Sequence, residues 1–431
     1  MNTLVAAFKV YWQKRILAML ALGFSAGLPL LLVFGTLSFW LRKEGVDRTT
    51  IGFISWVALF YGLKFLWAPL VDHLRLPLLA RLFGQRRSWL LLAQCGVLLS
   101  LFAMGSVDPQ QHLEQLVLLA LVVAFSSATQ DIALDAWRIE SAPTEEQAAM
   151  AASYQLGYRL GMILAGGGAF SLAHFYGWSV AYQVMAGFML IGVVTSLLVR
   201  EPQRAAVTDQ ASATVGRIQR CAQWLRTAVA QPFADFFYRN GWFGLVLLLF
   251  IGCFRLSDIT MGVMTGPFYA DMGYTELQVG LVSKTFGVGM TIFGALLGGL
   301  LVTRFKILPM LIISSILVVI TNLVFAVLAT KAPSTLLLAS VITADNISGG
   351  IAGTVFIAYL SGLTNRLYTA TQYALLSSVM LLPAKFMGGF AGEVVDALGY
   401  LMFFIYSAGL GLPAILLALW LSSRERQTKT N

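Results

Sequence analysis

Charge is scarce in this chain. Of its 431 residues, 11% are Asp, Glu, Lys or Arg and 58% are hydrophobic. Soluble domains hold ~25% charged and ~45–50% apolar residues. That balance excludes an ordinary soluble domain and implies an all-α membrane protein with many spans. Cysteine is nearly absent: Cys95, Cys221 and Cys253 form no CxxC pair and no even set, so neither a disulfide framework nor a thiolate zinc site is expected. His73, His112 and His174 lie far apart in the sequence and imply no metal cluster. No Gly-x-Ser-x-Gly, HExxH or P-loop pattern occurs, which leaves no catalytic residue to nominate and no resident cofactor to expect. The chain reads as a non-enzyme. A cleavable leader is not expected either, because the first apolar run, 16–41, is much longer than a signal h-region of ~7–15 residues.

Long apolar runs are what the chain does have. Twelve are counted, at 16–41, 51–71, 88–106, 114–137, 149–173, 180–199, 242–270, 277–302, 308–330, 335–362, 371–396 and 399–421. Each is near or above the ~20 residues that cross the hydrocarbon of a bilayer. With the N-terminus inside, 20 of the 29 Lys and Arg fall in inner segments, and only Arg42, Lys43, Arg48 and Lys331 fall in outer ones. That asymmetry puts both termini in the cytoplasm. The net charge of +9 then reports loops facing the cytoplasm rather than affinity for nucleic acid. Residues 1–199 are expected to form one six-helix bundle and 241–431 a second, joined by a cytoplasmic linker at 200–240. Within the linker, 215–229 reads as a basic amphipathic helix that lies on anionic membrane lipids.

The two halves repeat each other. Gly45-Val46-Asp47-Arg48-Thr49-Thr50-Ile51-Gly52 has a counterpart 228 residues on, in Gly273-Tyr274-Thr275-Glu276-Leu277-Gln278-Val279-Gly280. Gly166-Gly167 and Gly177-Trp178 correspond, at an offset of 222, to Gly388-Gly389 and Gly399-Tyr400. Two repeated six-helix bundles with an inner linker resemble the major facilitator fold, in which substrate binds near the midplane and access alternates.

Inside the spans the rare charges stand out. The fourth run closes on Ala128-Thr129-Gln130-Asp131-Ile132-Ala133-Leu134-Asp135-Ala136-Trp137, which places Asp131 and Asp135 on one helix face. A carboxylate at the bilayer centre costs ~2.5–3.5 kcal/mol on insertion scales. The pair is therefore expected to handle protons or accept hydrogen bonds from a solute, with ion pairing for packing as the alternative. Asp131 suits the cavity, and Asp135, one turn nearer the cytoplasm, the gate. Five basic residues also fall within spans: Lys64, Arg159, Arg255, Lys284 and Lys385. Arg255 and Asp258, three apart, can pair locally. Lys64 and Lys284 need counter-charges, for which Asp258, Asp345 and Glu393 are available. Lys385 repeats position 163, one turn from Arg159, so each half is expected to offer a cation to one cavity. That arrangement suits an anionic substrate. Gln130, Tyr158 and Asn346 are candidate hydrogen-bonding contacts to a sugar or peptide, or packing residues.

After the second run, Asp72 and Arg75, followed by Arg86 and Arg87, resemble the acidic-basic gating loop of major facilitators, with an insertion and with Pro69 three residues before Asp72. Further motifs resemble the AmpG family of muropeptide permeases. These are Gly23-Phe24-Ser25-Ala26-Gly27-Leu28-Pro29, Lys64-Phe65-Leu66-Trp67-Ala68-Pro69-Leu70, Gln130-Asp131-Ile132-Ala133-Leu134-Asp135-Ala136-Trp137 and Leu156-Gly157-Tyr158-Arg159-Leu160-Gly161-Met162. In the second half they are Val279-Gly280-Leu281-Val282-Ser283-Lys284-Thr285 and Ala370-Thr371-Gln372-Tyr373-Ala374-Leu375-Leu376. Asp345-Asn346 stands where the family is expected to carry Glu-Asn.

The resemblance implies a monomeric permease of the bacterial inner membrane. It would import anhydromuropeptides on the proton-motive force, feed peptidoglycan recycling and so affect β-lactamase induction. Asp131 and Asp135 would serve the protons. By motif match Lys64, Arg159 and Lys284 would line the substrate site; the reading of the intramembrane residues adds Gln130, Tyr158, Arg255, Asp258, Asp345, Asn346 and Lys385 to it, with Asp72, Arg75, Arg86 and Arg87 at the gate. The rival expectations are a transporter of another anionic solute (a peptide, nucleotide or coenzyme) and a membrane sensor or transferase that transports nothing.

Overall fold

The computed structural model describes residues 12–142, 146–202, 231–363 and 369–430. The expected linker helix at 215–229 and Cys221 lie outside the described residues. Every regular element among the described residues is helical. An unpaired backbone N–H or C=O costs several kcal/mol in hydrocarbon, and a helix pairs its own.

Among the described residues, nine helical stretches are long and apolar enough to cross a membrane. One of them, Ser153–Leu198, has 46 residues, over twice the ~20 needed for one crossing. It turns at Gly177, whose φ of 85° and ψ of 163° are not helical, so it comprises the expected fifth and sixth spans. The second span is present as short pieces, and the eleventh contains the shorter apolar helix Leu375–Gly389. Twelve spans are compatible with this layout.

The chain divides into two units. The first is Met1–Ala205 together with Thr265–Thr285, and the second is Ala206–Met264 with Phe286–Asn431. The excursion Thr265–Thr285 departs from a division by chain order, and local contacts account for it. Asp271 pairs with Arg42 and Arg48. Gly266 lies against Ser38, and Thr285 against Gly167.

In the first unit, α1 (Lys14–Val33) and α2 (Gly35–Lys43) are separated by Phe34. Then come α3 (Arg48–Ile54), α4 (Leu59–Leu63), α5 (Ala68–His73), α6 (Gln85–Met104), α7 (Leu113–Ser141), α8 (Gln147–Ile163), α9 (Ala169–Phe188) and α10 (Leu190–Leu198). Helices α1 and α8 pack backbone to backbone. A Cβ on Gly23 or Gly27 would strike the main chain of Tyr154 or Tyr158, and one on Gly157 or Gly161 would strike that of Leu20 or Phe24. Small residues four apart allow this approach, which replaces the hydrophobic driving force that lipid does not provide. These are the glycines of two family-like motifs, so packing explains them.

The second unit holds α11 (Phe243–Phe254), α12 (Leu256–Asp271, which ends in the first unit), α13 (Gly287–Phe305), α14 (Ile307–Leu328), α15 (Thr335–Leu363), α16 (Thr369–Gly389), α17 (Ala391–Gly409) and α18 (Leu412–Thr430). Here Gly294 and Gly298 of α13 press on the backbone of Ile347 and Ile351 in α15. An aromatic core joins α11 to α15, with the Phe254 and Phe356 rings stacked 4.1 Å apart. The run expected at 371–396 is interrupted at Phe390, between α16 and α17, and Gly399 breaks α17.

The repeat read from the sequence recurs in the backbone. Gly45 and Gly273 have φ of 86° and 83°. Each is followed two residues later by a helix cap, Asp47 or Thr275, whose side chain accepts a backbone N–H. Gly399, at φ 76° and ψ 168°, repeats Gly177.

Candidate functional site

Three of the intramembrane cations sit where a helix is interrupted. Lys64 opens a 3-10 turn, Lys64–Leu66, between α4 and α5, after Leu63 at φ −96° and ψ 0°. Arg255, at φ −102° and ψ 4°, separates α11 from α12. Lys284 lies in a π-helical stretch, Val279–Phe286. A second π-helical stretch, Leu164–Gly168, joins α8 to α9 and packs on the first, since a Cβ at Gly166 would meet Lys284 and one at Gly167 would meet Thr285. Such interruptions concentrate at functional sites, and in transporters they mark the substrate region. Hydropathy does not register them.

In the first unit, Lys64 Nζ lies 3.8 Å from Asp131 Oδ2. The counter-charge of Lys64 is thus Asp131 of its own unit, not Asp258, Asp345 or Glu393. Among the described residues, Asp131 Oδ1 and both amide atoms of Gln130 are buried without a hydrogen-bond partner. Unsatisfied buried polar atoms cost ~1–3 kcal/mol each, so these are poised for water or a solute. Beside them the rings of Phe60, Trp67 and Phe125 cluster, with Trp67 Nε1 donating to Thr129 Oγ1 at 3.1 Å. Tyr158 lies against Tyr154 at 5.8 Å between ring centroids.

Arg159 Nη1 donates to the Met162 thioether at 3.8 Å. Lys284 Nζ stands 6.0 Å from the centroid of the Phe170 ring and beside Gly35. Neither has a carboxylate within ion-pair distance among the described residues, so the counter-charge expected for Lys284 is not found there. A cation–π contact supplies only ~0.5–2 kcal/mol. Asp135 differs from Asp131: it is 50% exposed and pairs with Arg138 at 3.5 Å on its own helix.

The second unit holds another charged group. Arg255 Nη2 and Asp258 Oδ2 are 2.5 Å apart, as their spacing predicts, while Arg255 Nε is buried and has no hydrogen-bond partner among the described residues. Asp345 is a partly buried carboxylate of α15 near this pair and near Thr321. Its neighbour Asn346 accepts from Thr291 Oγ1 at 2.7 Å and donates to Ile342 O at 2.9 Å, which makes it a packing residue in this state. Lys385 is partly buried on α16, two residues past Pro383.

At the gate loop, the side chain of Asp72 lies outside the described residues and Arg75 is exposed. Arg86 is 5% exposed and reaches Glu140 at 2.7 Å. Glu201 accepts the backbone N–H groups of Arg86 and Arg87, at 2.8 and 3.1 Å, and so caps α6. Arg87 Nε donates to Ser196 O at 2.9 Å. Glu140 and Glu201 are partners that spacing alone did not single out, as are Trp67, Phe125 and Phe170 beside the cations.

Residues 16–265 match the Major Facilitator Superfamily. The chain belongs to that superfamily, in its AmpG branch. It is 36% identical over 425 residues to an anhydromuropeptide permease of Escherichia coli (strain K12), covering 98% of this chain and 83% of that protein. It is 34% identical to a putative transporter AmpG 4 of Rickettsia felis, covering 96% and 98%. Solved structures share the fold: a D-xylose–proton symporter (TM-score 0.67, 13% identity, 94% of this chain and 96% of that one) and the nucleoside transporter NupG (TM-score 0.66, 14% identity, 95% and 99%). This member of the superfamily is a transporter rather than an enzyme, and a multi-pass protein of the bacterial inner membrane.

Proposed function

We propose that this transporter imports anhydromuropeptides into the cytoplasm on the proton-motive force, as a monomer with both termini inside. It would feed peptidoglycan recycling and thereby β-lactamase induction. The observation that carries the reading is the 36% identity to an anhydromuropeptide permease across almost the whole chain. The site chemistry supports it. Among the described residues, Arg159 and Lys284 have no carboxylate within ion-pair distance, and they suit the carboxylates of a sugar-peptide. The unpaired amide of Gln130 and the nearby rings of Trp67 and Phe125 suit its sugars. Protonation of Asp131 would free Lys64. At ~150 mV each net positive charge translocated supplies ~3.5 kcal/mol, or roughly 2.5 decades of accumulation, less the same amount for each negative charge that the cargo carries in with it.

Uptake of a radiolabelled anhydromuropeptide into proteoliposomes under an imposed proton gradient tests this. Wild-type accumulation is expected, with Asp131→Asn abolishing it. Full retention by Asp131→Asn would remove Asp131 from proton coupling, and absence of wild-type uptake would reject the cargo. A second reading, a different anionic solute, is favoured only by Asp345-Asn346 in place of Glu-Asn.

A further inference from the structure

Two carboxylates and one guanidinium act on one another in the second unit, and the charges of these three do not balance. Arg255 and Asp258 are 2.5 Å apart and cancel each other. Asp345 feels both of them and lies near the Thr321 hydroxyl. Ionised, it leaves the cluster at −1. Among the described residues, the helices packed on α15 bring Asp345 no cation beyond Arg255. Asp345 is the only charged residue of α15, and α14 carries none. The one charge on α13 is Arg304, 13 residues past Thr291, which is ~20 Å away at 1.5 Å per residue. Lys385, the one charge of α16, has contacts of its own, and the groups that act on Asp345 are Asp258, Thr321 and Arg255.

Beside the cluster there is room. Asp345, Gly349 and Gly353 recur every fourth residue along one face of α15. A Cβ at Gly349 would meet nothing within 4 Å, and one at Gly353 would meet Arg255 Nη1 at 3.6 Å. The guanidinium thus borders an open slot with its Nε–H still unused. A planar fork with a spare donor is suited to a carboxylate.

We propose that Asp345 takes up a proton and thereby licenses an anionic group of the substrate to bind Arg255. This rests on the proton-driven import reading. With Asp345 ionised, an incoming carboxylate would take the cluster from −1 to −2 in a partly buried place. With Asp345 protonated, the cluster is neutral, and the same carboxylate returns it to −1. Proton and anion therefore enter together and leave together, at one proton per carboxylate held at this site. The proton adds to the Asp345 carboxylate, and no bond of the substrate is made or broken.

The test measures binding of a radiolabelled anhydromuropeptide to the purified full-length protein from roughly pH 5.5 to 8.5, beside gradient-driven uptake in proteoliposomes. Wild-type affinity is expected to fall by up to about tenfold per pH unit on the alkaline side. Asp345→Asn, a mimic of the protonated form, should bind with an affinity that varies less than about twofold over the range and should lose gradient-driven accumulation. Asp345→Glu should restore the pH slope. An Asp345→Asn protein that keeps the wild-type slope, or that binds at no pH, overturns the assignment while wild-type uptake still supports import. A wild-type protein that accumulates nothing on a proton gradient defeats the import reading itself, and the inference with it.

Discussion

Lys306 holds the backbone conformation that Gly84 holds 222 residues earlier. Its φ and ψ are 69° and 169°, against 87° and 174° for the glycine, and each residue stands just before a long helix, α14 or α6. The two halves thus turn alike at this point, but only one of them uses the residue that the turn favours.

A non-glycine residue in this region costs ~1–3 kcal/mol. Lys306→Gly should recover that strain, less ~0.4–1 kcal/mol for the greater freedom of glycine in the unfolded chain. A net gain of about 1 kcal/mol is expected, visible as a higher melting temperature in detergent. Gly84→Lys should do the reverse and more, because its Cβ would also strike the Glu201 side chain. An unchanged melting temperature for both variants would contradict the strain argument.

The α1–α8 contact should be the least tolerant of added volume. A side chain at Gly157 meets backbone atoms of Leu20 and Phe24, which cannot rotate away. Gly157→Leu should cost at least ~1–3 kcal/mol and lower the yield of folded protein. Gly187 is helical with nothing within 4 Å of its missing Cβ, so Gly187→Ala should be neutral or stabilising by up to ~1 kcal/mol. Thermal melting of the two variants side by side checks the contrast.

Asp271 ties the end of α12 to Arg42, at 2.5 Å, and to Arg48, at 2.8 Å. Accessible pairs contribute ~0.2–1 kcal/mol each. Asp271→Asn should therefore lower stability by roughly 1 kcal/mol at low ionic strength, and by less at high salt, where screening has already weakened the pairs. A deficit that ignores salt would show that packing, not charge, holds this corner.

Asp47 caps α3 through the Thr50 amide at 2.8 Å and the Thr50 hydroxyl at 2.7 Å. Partial burial pushes its carboxyl up, but these hydrogen bonds, with Arg42 nearby, hold it below its ordinary 3.8. A lowered folded value means that the stabilisation is complete above pH 3.8 and is lost as pH falls through the folded value. Asp47→Ala should cost ~0.5–2 kcal/mol at neutral pH, and the gap to wild type should close in acid. Melting curves across pH measure it.

Much of the architecture was legible in the chain itself. An apolar run of membrane length has few alternatives to a helix, so the spans followed from composition, and the predicted second, eighth and tenth runs coincide closely with Arg48–His73, Glu276–Phe305 and Thr335–Leu363. The costly charges announced themselves for the same reason, and the paired turn glycines revealed the repeat. Tertiary structure alone decided who meets whom. Lys64 found Asp131, 67 residues away. Arg86 found Glu140 and Glu201. Lys284 found an aromatic ring in place of a carboxylate. Asp345 came to lie beside a pair that was already neutral. Hydropathy measures the solvent preference of a segment. Pairing depends on how helices cross and where their backbones are interrupted, and glycines and side-chain shapes far apart in the sequence set both.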